Sequence, residues 1–165
     1  TEAQAQSAEA LEELRALSRG FAPPLLLDRG LVAALESVAT RAAVPTTLAS
    51  ELPVPLVLPG EVERASYFVV AELLTNVAKH AHATQAAVHL ATESADDRSW
   101  LTVQVTDNGH GGAAVTAEHG LAGIAERVRG VGGRLEIDSP EGGPTVITAR
   151  LPLPKSSAER APVDL

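Results

Sequence analysis

The chain has 165 residues, 45% of them hydrophobic, which is enough apolar side chain for one domain with a real core. A formal net charge of −8 argues against a surface for nucleic-acid backbones, and 2% aromatic residues argue against stacking platforms for bases. The absence of cysteine rules out disulfides, thiolate metal sites and thiol redox chemistry.

Residues 1–20 read as a helix, with Ala10, Leu11, Leu14 and Leu17 on an apolar edge and Gly20 as a stop. Pro23-Pro24 reads as a rigid break. Asp28 is a candidate N-cap for a second helix through Leu31, Leu35 and Val38 to about Arg41. The proline-punctuated stretch that follows predicts short edge strands near Thr46–Leu48 and Val54–Leu58. Pro59-Gly60 then turns the chain into a long helix over about Glu61–Ala81.

Alternation predicts a strand at Ala86–Leu90 and another at Trp100–Thr106, with acidic Glu93–Asp97 as the hairpin loop between them. A glycine-rich loop follows, Asp107-Asn108-Gly109-His110-Gly111-Gly112. A short small-residue segment, Ala113–Glu118, leads to a helix from Gly120 to about Arg129. Strands at Arg134–Ser139 and Thr145–Leu153 close the domain, joined by Pro140-Glu141-Gly142-Gly143-Pro144, and the tail from Lys155 is expected to be mobile. The order of elements predicts a two-layer α/β sandwich: a mixed, mostly antiparallel sheet with helices on one face.

The long helix carries two stripes. Val70, Leu73, Leu74, Val77 and Ala81 form the apolar one. Glu72, Asn76, Lys79 and His80 fall within an arc of roughly 100° on another side and bring together an acid, an amide, a base and an imidazole. Taken alone, that polar stripe reads as a solvated face, and Asp107-Asn108-Gly109 reads as a tight turn. His110-Gly111-Gly112 prolongs the loop, however, and the next element is a helix rather than a return strand. Glycines admit a phosphate to the backbone, and a helix start offers free N–H groups. His80 and His82 point apart on a helix, which argues against a histidine metal site.

Order and spacing together resemble the ATP-binding domain of the GHKL superfamily (the Bergerat fold), which includes histidine kinases and DNA gyrase. Glu72 to Ala81 resembles the N box of a sensor histidine kinase, Asp107 to Gly111 its G1 box, and Gly120 to Val128 its G2 box. Gly132-Gly133-Arg134-Leu135 through Thr145 to Leu153 resembles its closing strands. Glu13–Gly20 and Asp28–Leu35 resemble the join between dimerisation and catalytic domains in the nitrate/nitrite-sensor type. The implied division is a remnant of a dimerisation helix at 1–20, a catalytic domain at 21–153 and a tail at 154–165.

The resemblance implies ATP and Mg²⁺ as cofactors. Asp107 would accept a hydrogen bond from the adenine amino group, with the Thr145 hydroxyl beside it. Gly109 and Gly111 would give the loop room to pass over base and sugar, and Asn76 would ligate Mg²⁺. Glu72 would polarise the attacking group, and Lys79 and His80 would lie near the phosphates. Gly120, Leu121 and Gly123 would present backbone amides to phosphate.

The implied partners are the protein's own dimerisation domain, in a homodimer, and a response regulator; nucleic acid is not among them. A cytoplasmic fragment is implied, with any membrane anchor outside it. No apolar run approaches the roughly 20 residues that cross a bilayer, and a chain starting at Thr1 is expected to be part of something longer. Two departures stand out. The segment between Gly112 and Gly120 is short, and no histidine precedes Gly20 to accept phosphate, so this chain is expected to bind ATP without phosphorylating itself. The competing reading on the same fold is an anti-sigma-factor serine kinase or an ATPase.

Overall fold

The computed structural model describes residues 22–113 and 120–155. The expected helix over residues 1–20, most of the segment between Ala113 and Gly120, and the tail beyond Lys155 lie outside the described residues. Helix α1 (Pro24–Arg41) starts earlier than the sequence suggested, with Pro23 extended at its N-cap and Pro24 in the first turn. A proline there gives up an N–H that would have no helical partner anyway. Asp28 is therefore inside the element rather than at its start. Gly30, at φ 85° and ψ −179°, breaks the helical path, and the part beyond it buries Leu31, Ala34, Leu35 and Ala39.

Strand β1 (Thr46–Ser50) follows. The second strand expected at Val54–Leu58 does not form. Pro53 and Pro55 remove two ladder donors, and Val54 and Val57 are left exposed. Helix α2 (Gly60–Asn76) then fills the core with Val62, Ala65, Tyr67, Val69, Val70, Leu73 and Leu74. Ser66 is also buried, and its hydroxyl donates to the Val62 carbonyl at 2.7 Å, so burial leaves no unpaired group. The expected helix to Ala81 is present, but its last turn, Val77–Ala81, is π-helical.

Strands β2 (Ala86–Ala95) and β3 (Arg98–Asp107) form a long hairpin. Its loop is two residues, not the five expected. Asp96 and Asp97 both take positive φ, 53° and 58°, the geometry of the tightest hairpin turns, so Glu93 to Ala95 stay in the strand. Helix α3 (Leu121–Gly130), β4 (Arg134–Asp138) and β5 (Thr145–Leu153) complete the chain.

The sheet order is β1-β2-β3-β5-β4, parallel only between β1 and β2. Alternation puts Ala86, Val88 and Leu90 of β2, Leu101, Val103 and Val105 of β3, and Ile147, Ala149 and Leu151 of β5 on the buried face, under the helices. This is the two-layer sandwich with a mixed, mostly antiparallel sheet. Helix α3 lies beside α2, where the Arg127 guanidinium sits 3.5 Å over the Phe68 ring.

Candidate nucleotide site

The helix-facing row of the sheet ends in polar residues. Asp107 closes β3 and Thr145 opens β5, and the register sets them directly opposite each other. Both keep the parity of the apolar row, so both are buried, at 5% and 6% exposure, under the helix layer. Cross-strand partners of this kind have Cβ atoms within about 5.5 Å, so a carboxylate and a hydroxyl share one small area.

A cavity opens over this pair. It is lined by Leu73, Asn76, Val77, His80 and Ala81 of α2 and its final turn, by Val105, Asp107, Thr145 and Ile147 of the sheet, and by His110 to Ala113 and Leu121. The lining is mostly apolar, with a few convergent polar groups, as small-molecule sites are. One Asp107 oxygen, Oδ1, accepts from the Gly109 N–H at 2.8 Å, which orients the carboxylate within its own loop.

Three backbone segments clasp one another at the cavity wall. The His110 N–H donates to the Ala81 carbonyl at 3.0 Å, and a Cβ on Gly109 would collide with that same carbonyl. The Gly142 N–H donates to the His110 carbonyl at 2.7 Å, and the Gly112 N–H to the Ser139 carbonyl at 3.0 Å. A Cβ on Gly111 would collide with the Pro140 carbonyl, and one on Gly143 with the Gly109 carbonyl. The glycines are thus required for close approach of loop to helix and of loop to loop.

Asn108 secures the helix end from the other side. Its Oδ1 accepts from the Thr84 and Gln85 amides at 2.9 and 3.1 Å, and its Nδ2 donates to the Thr84 hydroxyl at 2.8 Å. His82, at φ 51°, ends the π turn, and its ring stacks near that of His110 with centroids 5.3 Å apart. π turns occur disproportionately at functional sites. This one carries His80 and Ala81 on the cavity wall, four and five residues beyond Asn76.

Of the residues singled out in the sequence, Asn76, His80, Asp107, Gly111, Leu121 and Thr145 line the cavity. Glu72 is half-buried beside it, with its Oε2 3.8 Å from where a Cβ on Gly120 would sit. Lys79 is exposed and outside the lining, as are Gly120 and Gly123. Gly109 acts from behind the wall through its packing on Ala81. Gly120, at φ 67°, precedes α3 and, having no side chain, gives its first turn no side-chain cap; Leu121 at its start lines the cavity. Sequence reasoning missed Ser139 and Asn108. Ser139 was read as the last residue of a strand, whereas β4 stops at Asp138 and frees it.

Among the described residues, no three His, Cys, Asp or Glu side chains gather into a metal cage. Mg²⁺ is commonly held by one or two side chains, with most of its ligands from phosphate and water. Asn76, which carries an amide oxygen, lies on the cavity wall.

The comparisons agree with the fold. Residues 61–155 match the family model described as histidine kinase-, DNA gyrase B-, and HSP90-like ATPase. The chain belongs to this family. The sensor histidine kinase MctS of Rhizobium johnstonii is 34% identical over 152 residues, covering 87% of this chain and 32% of that protein. The sensor histidine kinase LiaS of Bacillus subtilis is 30% identical over 150 residues, covering 88% of this chain and 40% of that protein. The chain therefore spans about a third of the length of these relatives, and corresponds to their ATP-binding catalytic domain. Among solved structures, the Erythrobacter litoralis EL346 blue-light activated histidine kinase superposes with a TM-score of 0.58 at 20% identity, covering 78% of this chain and 42% of that one. That likeness bears on the fold. None of the described helices is long and apolar enough to cross a membrane.

Proposed function

We propose that the cavity holds ATP with Mg²⁺, and that the whole protein transfers the γ-phosphate to a histidine on its own dimerisation domain for relay to an aspartate of a response regulator. The observation that carries this reading is that Asp107 and Thr145, a buried cross-strand pair, line one cavity together with Asn76. Asp107, an acceptor when ionised, takes the adenine amino group, and burial strengthens that charge-assisted bond. The apolar walls from Leu73, Val77, Val105 and Ile147 enclose the ring.

The phosphates then extend toward the start of α3, where the N–H groups of the first turn and the helix dipole favour negative charge. When bound, Mg²⁺ would neutralise charge on the phosphates, with Asn76 offering its amide oxygen. His80, on the cavity wall, and Glu72, near Gly120, would orient the reacting phosphate and the attacking imidazole. Lys79, exposed on the π turn beside His80, would add positive charge near the phosphates. The anti-sigma-factor kinase reading shares this cavity, and it differs in the phosphate acceptor.

Isothermal titration of the purified chain with Mg-ATP and Mg-ADP tests the site. Saturable, one-to-one binding that weakens when Mg²⁺ is chelated is the expected result. Incubation with labelled ATP should leave this chain unlabelled, because the acceptor histidine lies elsewhere. Stoichiometric phosphohistidine on residues 1–165 alone would contradict that assignment of the acceptor.

A further inference from the structure

Ser139 lies between the end of β4 and the Gly-rich turn, and it touches the site only through other residues. Its Oγ accepts from the Ala113 amide at 2.9 Å, and it lies 2.6 Å from the Thr145 hydroxyl, close enough for a strong O–H···O bond. A hydroxyl has one hydrogen to give and two lone pairs, and by itself it turns to suit whatever faces it. The Ala113 N–H occupies one lone pair of Ser139, either hydroxyl can supply the hydrogen between Ser139 and Thr145, and the direction that matters is donation from Ser139 to Thr145. That arrangement leaves the Thr145 hydrogen for the cavity that Thr145 lines.

We propose that Ser139 is a positioning residue that fixes Thr145 as a hydrogen-bond donor into the cavity, and so makes the site select adenine over guanine. The proposal rests on the nucleotide reading above. Asp107 presents an acceptor and Thr145, directly across the register, presents a donor. The pairing edge of adenine offers the complement, an amino donor beside the unprotonated N1 acceptor. Guanine offers the reverse, a carbonyl acceptor beside an N1–H donor. Without Ser139 the Thr145 hydroxyl turns to match either edge, and only Asp107 discriminates. The contact from Thr145 to N1 is direct, since a bridging water could accept from Thr145 and from a guanine N1–H alike and would carry no preference.

The test compares ADP with 1-deaza-ADP, which keeps the amino group and lacks the N1 acceptor, by calorimetric titration of the whole chain. The native chain should bind ADP about tenfold more tightly, the value of one hydrogen bond to an oriented donor. In Ser139→Ala that ratio should fall to about twofold, through weaker ADP binding with little change for 1-deaza-ADP. Ser139→Thr, which keeps the hydroxyl, should restore it, and Thr145→Val should abolish it. The preference for ADP over GDP should narrow in step in Ser139→Ala. A folded Ser139→Ala that keeps the full ratio, or that weakens both ligands equally, overturns the proposal and leaves Ser139 a structural strut. If the alanine variant does not fold, Ser139→Cys, a weak donor of similar size, serves the same comparison. If the native chain binds neither nucleotide, the nucleotide reading itself is wrong, which is a visibly different outcome.

Discussion

Strand β3 is entered through Asp96-Asp97 and left through Asp107-Asn108-Gly109, two aspartate turns ten residues apart that look alike in the sequence. At the first, both aspartates are exposed, take positive φ and simply reverse the chain, and the depression beside them is lined only by residues 94–99. At the second, Asp107 falls in step with Leu101, Val103 and Val105, so its carboxylate is buried beneath α2 and faces Thr145. The chain then does not reverse. It runs along the end of the helix and against the β4–β5 turn, held by Asn108, Gly109 and Gly111. An acidic turn becomes a site when its side chain shares parity with the core row and a second layer covers it.

The sharpest test of that difference is the clasp behind Asp107. Gly143→Ala forces a side chain into a left-handed residue at φ 77° and against the Gly109 carbonyl, and should cost about 2–4 kcal/mol in a denaturant melt. Gly142→Ala, at φ 88° with nothing within 4 Å, should cost about 1 kcal/mol. Equal losses for the two would mean that the loops are not in contact in solution.

Next in size is the charge itself. Asp107→Asn should weaken ADP binding by about 1–3 kcal/mol, because an amide replaces the charged acceptor in a buried position. Asp97→Asn should leave ADP binding unchanged, and calorimetry on both variants decides whether the two turns differ as described.

A smaller effect should appear at the first turn. Asp97→Gly removes a side chain from φ 58° and should raise stability by roughly 0.5–1 kcal/mol, read as a higher midpoint of unfolding.

The smallest belongs to the open face of the sheet, where Arg150 bridges Glu136 and Glu93. The hydrogen bond from Arg150 holds the Glu136 carboxyl below its ordinary value of 4.5. A lowered carboxyl pKa stabilises the fold above the unfolded value and loses that contribution as pH falls through the folded one. Glu136→Gln should therefore cost no more than about 0.5 kcal/mol at pH 7, in keeping with an exposed pair, and the difference from the native chain should shrink as pH falls through the lowered carboxyl pKa.

Much of this molecule was legible in its residues. Period-two alternation in β2, β3 and β5 and the apolar stripe of α2 specify one buried face each, so elements, sheet type and layer number follow from local pattern. The order of Glu72–His80, Asp107–Gly111 and Gly120–Gly123 pointed to a nucleotide site before any contact was known. The errors lay where local signals compete: prolines cancelled a strand at Val54–Leu58, and positive φ at Asp96-Asp97 shortened a loop expected to be longer. What only the tertiary structure decided is which polar residues meet. Asp107 and Thr145 are 38 positions apart in the numbering and become neighbours through antiparallel pairing, and of the polar stripe on the long helix Asn76 and His80 reach the same cavity while Lys79 between them does not line it. Ser139 gains its contacts with Thr145 and Ala113 only because β4 stops one residue early. Periodicity reports the face a residue takes on its own element. Which groups share a cavity depends on register and packing between elements, and these are set by contacts distant in sequence.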